Sequence, residues 1–148
     1  MNAIDLLKQD HRNVEKLFTD FLAADDDVIQ EDVFQQIQTE LSAHSEAEEQ
    51  AFYPALKSES PDKVERAIEE HLKVKQLLAQ LLDMDFADEE FDAKFTELMT
   101  LVQDHVQEEE GPGGVMEIAQ SKFDDARLSD MARQIEAVKL DLKRDLAA

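Results

Sequence analysis

The stretch His44-Ser45-Glu46-Ala47-Glu48 decides how the chain folds. His44 and Glu48 are four residues apart, so a helix stacks them on one face. Phe34, Ile37 and Leu41 precede them at the spacing of a core-facing stripe. An imidazole and a carboxylate are therefore aimed into apolar surroundings. His105-Val106-Gln107-Glu108-Glu109 repeats the arrangement, downstream of Phe91, Phe95, Leu98 and Val102.

Two further stripes complete the pattern. One runs through Ile4, Leu7, His11, Val14, Phe18 and Phe21, the other through Val64, Ala67, His71, Val74, Leu78 and Leu81. Mixed steps of three and four residues are the helical period, and strand-like alternation is hard to find. The connections carry their own signals. Asn2 is placed to cap the first helix, and Asp25-Asp26-Asp27 reads as a turn. Ser60 and Pro61 open the third helix as N-cap and first helical residue. Asp88 is placed to cap the fourth, and the second stripe continues through Ala51 to Ala55. All three glycines fall in Gly111-Pro112-Gly113-Gly114, a helix stop. Beyond it, Ser129 is expected to cap a shorter segment with Met131, Ile135, Val138 and Leu142, which covers part of the bundle. The predicted fold is all-α, an up-down-up-down four-helix bundle with an additional C-terminal helix. A single domain over 1–148 is expected, with 1–110 as the bundle core and 111–148 as the break and C-terminal helical segment.

Composition narrows the function. The 36 acidic and 15 basic side chains give a formal charge of −21, which repels nucleic acid and anionic membranes. With no cysteine, disulfides, thiolate metal sites and cysteine nucleophiles are excluded. The N-terminus lacks a secretion signal and no apolar run reaches membrane-span length, so a cytoplasmic protein is expected.

A repeat runs through the chain. Asp10-His11 and Glu70-His71 each precede a valine three residues on, and each is followed about 33 residues later by His-x-x-x-Glu-Glu. All four histidines lie on apolar stripes, one per helix. If each had about a three-in-seven chance of facing inward, four of four would arise about 3% of the time. Buried Glu48 and Glu109 add weight, because an unpaired carboxylate in a core costs several kcal/mol. None of the stripes carries Lys or Arg, so a metal cation is the natural partner. Six ligands are too many for one tetrahedral zinc and suit two octahedral ions, while mixed N/O donors fit iron or manganese.

His11, His44-x-x-x-Glu48, His71 and His105-x-x-x-Glu109 together resemble the hemerythrin-like (HHE cation-binding) family over residues 1–110. The resemblance implies two non-haem iron ions, with manganese as the alternative metal, bridged by an oxo or hydroxo group. His11, His44, His71 and His105 would be terminal ligands, with Glu48 and Glu109 as bridging carboxylates. Dioxygen, peroxide or nitric oxide would be the small ligands. Two departures stand out. Lys75 occupies the place where oxygen carriers have another His, which implies a more open site and favours redox or peroxide chemistry, or sensing, over transport. Gly111–Gly114 interrupts a helix that the family usually continues. A metal-responsive binding module without turnover and a metal-free scaffold are the competing functions.

Other polar residues are expected outside the centre. A regular helix aims Tyr53 away from the face of His44, although Pro54 sits where it can distort that turn. Asp10 and Glu70 read as solvated, or as carboxylates holding the other nitrogen of an imidazole. Glu46, Glu49, Glu108 and Glu110 read as acidic surface.

Overall fold

The computed structural model describes residues 1–147 and contains no strand among them. Seven helical segments follow in order: α1 Ala3–Ala23, α2 Asp27–Ala51, α3 Tyr53–Leu56, α4 Pro61–Leu82, α5 Phe91–Glu110, α6 Val115–Lys122 and α7 Asp125–Ala147. The four long predicted helices are α1, α2, α4 and α5, and α7 lies along α1 and α2. Among the described residues no helix is long and apolar enough to cross a membrane.

Local chemistry sets the ends. Asn2 and Asp5 form a reciprocal capping box on α1. The acidic turn ends with Asp26, whose side chain accepts from the N–H groups of Val28 and Ile29. Pro61 opens α4, but the Ser60 side chain makes no capping bond. Asp88 accepts from the N–H of Glu90 in the turn just ahead of α5.

Two boundaries differ from expectation, both with physical causes. The second helix does not reach Ala55: it ends at Ala51, and Phe52 adopts φ −121°, ψ −59° before the short α3. Pro54 has no N–H for the carbonyl of Gln50 and its ring displaces that carbonyl, so the helix breaks and restarts. Downstream, Ser129 caps nothing. The chain re-enters a helix at Val115, and α7 begins at Asp125, where the Asp124 side chain accepts from the N–H of Arg127.

The interior consists of two apolar clusters rather than one. The first gathers Phe18, Phe21, Phe34, Phe91 and Phe95 with aliphatic residues of all four long helices. Phe21 stacks on Phe95 with ring centroids 4.3 Å apart. The second joins Ile4 and Leu7 to Phe52, Leu56, Met116, Leu128, Met131 and Ile135. It exists because α3, α6 and α7 close the end of the bundle that the four helices leave open. Between the clusters lies a buried layer containing His11, His44, His71, His105, Glu48 and Glu109.

The break after α5 is tightly built. Gly113 has φ 75°, a conformation L side chains rarely adopt, and a Cβ on Gly114 would collide with the carbonyl oxygens of Glu108 and Glu109. The turn thus packs against the backbone that carries Glu109. Gly114→Ala is expected to destabilise the fold by about 1–3 kcal/mol, the usual cost of forcing an extra methyl into packed structure. Urea denaturation at neutral pH measures it.

Candidate metal centre

The layer between the clusters is built from two equivalent hairpins, α1–α2 and α4–α5. Each gives one histidine from its first helix and a histidine and glutamate from its second. Glu48 Oε1 lies 3.0 Å from Nε2 of its helix neighbour His44, and 3.2 Å from Nε2 of His71 in the other hairpin. Glu109 repeats this: Oε2 is 3.4 Å from Nε2 of His105, and Oε1 is 3.4 Å from Nε2 of His11 across the bundle. Two groups result, with donor atoms all within 4.8 Å of one another: His11, His44, Glu48 and Glu109, and Glu48, His71 and His105. Nε2 of His71 and His105 are 3.1 Å apart. All six residues named from sequence therefore meet in one place.

The outward nitrogens are equally ordered. Nδ1 of His11 faces Glu110 at 2.6 Å, and Nδ1 of His44 faces Asp10 at 2.9 Å. Nδ1 of His71 faces Glu49, and Nδ1 of His105 faces Glu70, each at 2.8 Å. A carboxylate on Nδ1 takes the N–H there and turns the Nε2 lone pair inward. Asp10 and Glu70 thus take the second of the two readings open to them. For Glu49 and Glu110 the surface expectation is overturned, because the residue after each bridging-type glutamate is rotated towards the next helix and reaches its imidazole. Glu46 and Glu108 stay at the surface, bonded to Gln50 and Arg66.

The largest correction concerns Tyr53. It is 1% exposed, and its hydroxyl lies 3.1 Å from Glu48 Oε1, 3.2 Å from His71 Nε2 and 3.4 Å from His105 Nε2. It also donates to Glu109 Oε2. The break at Phe52 turns its side chain inward; Pro54 was the only sequence signal for this. Lys75, by contrast, is exposed, and Val74 takes the interior position on that turn.

The donor set fits a bound cation. Among the described residues, four buried side-chain atoms have no hydrogen-bond partner: His11 Nε2, His44 Nε2, Glu48 Oε2 and Glu109 Oε1. These come from the four residues of the first group. Unpartnered buried polar atoms are rare because each costs about 1–3 kcal/mol. A divalent ion among them would satisfy all four at once.

Comparison with known proteins agrees. Residues 2–112 match the family profile described as Hemerythrin HHE cation binding domain. The chain belongs to the hemerythrin HHE cation-binding family. A DNA nickase from Nostoc sp. is 33% identical to this hemerythrin-like domain over 111 residues. That match takes in 74% of the chain but 32% of the relative, so the chain spans about a third of its length. The crystal structure of a hemerythrin HHE cation binding domain-containing protein from Mycobacterium kansasii superposes with a TM-score of 0.82 at 22% identity. It covers 98% of this chain and 89% of its own, and so establishes the fold.

Electrostatics within the layer are strong. Burial opposes protonation of His44, yet Glu48 and Asp10 outweigh it and lift its pKa from 6.5 to about 10. His71 and His105 are raised against the same burial cost, the first by Glu48 and Glu49, the second by Glu109, Glu48 and Glu70. Burial favours a protonated Glu48, but His44, His105 and His71 hold its carboxyl well below the usual range. Glu109 is also lowered, by His105 and His11, against burial and the charge of Glu48. Burial first, then Glu48 and Glu109, push the Tyr53 phenol well above its ordinary value, so it keeps its proton when no ion is bound.

Two outcomes follow from this arrangement. In the metal-free protein, the contribution of His44 to stability is complete below its ordinary pKa of 6.5 and is lost as pH rises through about 10, and the raised His71 and His105 act in the same direction. The contribution of Glu48 is complete above 4.5 and is lost as pH falls through its lowered pKa. Stability of the chelated protein should therefore decline from pH 6.5 into the alkaline range. The metal-loaded protein, whose ligands must be deprotonated, should gain stability from about pH 5 to 8. Urea titrations at a series of pH values compare the two. Separately, Glu49→Gln should weaken metal binding about 10–100-fold by disturbing the orientation of His71, whereas Glu46→Gln leaves affinity at the wild-type value. Competition with a chromogenic chelator reads both.

Proposed function

We propose that this domain binds dioxygen or peroxide at two non-haem iron ions, which His11, His44, His71, His105, Glu48 and Glu109 would hold. The Tyr53 hydroxyl lies 3.2 Å from Nε2 of His71 and 3.4 Å from Nε2 of His105. Imidazole and carboxylate donors without sulfur support iron, with manganese as the alternative. When bound, such a pair of ions supplies electrons and open coordination positions for O–O chemistry. The protein's own part is separate from that. Four Nδ1–carboxylate bonds fix the imidazoles, the two apolar clusters exclude bulk water, and Tyr53 keeps a proton 3.1 Å from Glu48 and in contact with Glu109.

The observation that carries the choice of ligand is a cavity of about 30 Å³ that touches all four histidines. Val14, Leu41, Val74, Val102 and Val106 supply its apolar wall. A cavity needs about 10–15 Å³ of such space to hold one water, so the chamber has room for a diatomic or peroxide-sized ligand. Action on DNA is not carried over from the Nostoc protein, because a charge of −21 opposes approach to phosphates. A sensing role without turnover would use the same centre. Peroxide consumption at background level, together with a metal-dependent shift in thermal midpoint, would favour it.

Metal analysis after iron-replete expression should find about two irons per chain, and a value near zero would overturn the reading. Within that experiment, Tyr53→Phe should retain most of the iron but slow peroxide consumption, because the proton held beside Glu48 and Glu109 is removed. A wild-type rate would leave the Tyr53 hydroxyl with a packing role alone.

A further inference from the structure

The four carboxylates that hold the imidazoles differ in what stands behind them. Glu110, on His11, pairs with Arg12, and Glu70, on His105, lies 3.8 Å from Nε of Arg66. Those arginine side chains are 53% and 68% exposed, so solvent screens their charge. Among the described residues Glu49, on His71, has no Lys or Arg within ion-pair distance. Asp10, on His44, is different again. Its Oδ2 faces His44 Nδ1 at 2.9 Å, and its Oδ1 accepts from the Lys139 ammonium at 2.5 Å. The Lys139 side chain is 14% exposed and its partner 5%, and charges in such surroundings act on one another far more strongly than at the surface.

Stability does not account for this contact. A buried Lys–Asp pair loses in desolvation much of what it gains in attraction. The helix that carries Lys139 is already anchored by Leu128, Met131, Ala132 and Ile135, all buried. Lys139 also lies outside residues 2–112, the part of the chain that matches the family. What it does touch is the one carboxylate behind His44, whose Nε2 is buried and has no partner.

We propose that Lys139 is a positioning residue for the metal centre, drawing the charge of Asp10 away from His44 and so weakening that imidazole as a donor to the ion it faces. A carboxylate on Nδ1 makes an imidazole a stronger ligand, and a cation on that carboxylate opposes the effect. A weaker donor and a nearby positive charge both favour the lower oxidation state. One ion of the pair is thereby made easier to reduce than the other. This rests on the di-iron reading above.

The test is a spectroelectrochemical titration of the iron-loaded full chain in four forms: wild type, K139M, K139R and K143M. K139M should lower one midpoint potential so that the oxidised-to-reduced ratio at fixed potential rises about tenfold, which is 59 mV for a one-electron couple. K139R should restore it. K143M removes a cation from the same helix, one that pairs with Glu40 instead, and should leave both potentials unchanged. A wild-type potential in K139M, or an equal shift in K143M, would overturn the proposal. A chain that takes up no iron would instead defeat the di-iron reading. In that event the His44 Nδ1–H resonance of histidine-labelled metal-free protein decides: it moves downfield in K139M if Lys139 withdraws charge from Asp10, and an unmoved resonance refutes it.

Discussion

Burying the carboxylates of Glu48 and Glu109 between two apolar clusters is unfavourable by several kcal/mol each unless positive charge meets them. That demand organises the molecule. Protons on His44, His71 and His105 meet it in the absence of metal, and their raised pKa values and the lowered glutamate values are its signature. Bound metal would meet it with the imidazoles neutral. The site is thus a place where protons and metal compete for the same atoms. The outer carboxylates decide how each imidazole presents itself to either.

The additions beyond the four long helices serve that layer. Without α3, α6 and α7 the apolar cluster on one side would not exist, and the glutamates would face the open end of the bundle. The short α3 also brings in Tyr53, the hydroxyl group in contact with both glutamates. The turn at Gly111–Gly114 is packed against the carbonyls of Glu108 and Glu109, so it fixes the end of α5.

Helical periodicity made the bundle readable, because a stripe with three- and four-residue steps has one geometric interpretation. The six inward residues were readable for the same reason: each lies in phase with the apolar stripe of its own helix. What lay outside the sequence pattern was everything that depends on a break in phase or on a neighbouring helix. Tyr53 was placed outward by a regular helix, and a backbone break caused by Pro54 reversed that. Glu49 and Glu110 look like surface on their own helices and reach an imidazole only because another helix stands beside them. Lys139 was beyond reach of any periodicity, since its meaning depends on how α7 lies against α1.

The crosswise reach of the two glutamates has a consequence for how the halves of the chain relate. Each group of donors draws on both hairpins, since Glu109 joins His11, His44 and Glu48, and Glu48 joins His71 and His105. Two copies of a single hairpin, related by a twofold axis, would present the same polar layer, and every substitution in it would then appear twice. Joining the halves in one polypeptide removes that restriction. Position 53 holds a tyrosine while its counterpart, nine residues after His105, is Gly114, and the carboxylate before His11 leans on a partly buried lysine while the one before His71 leans on an exposed arginine. A covalent link between halves is what lets the two groups of donors be given different surroundings.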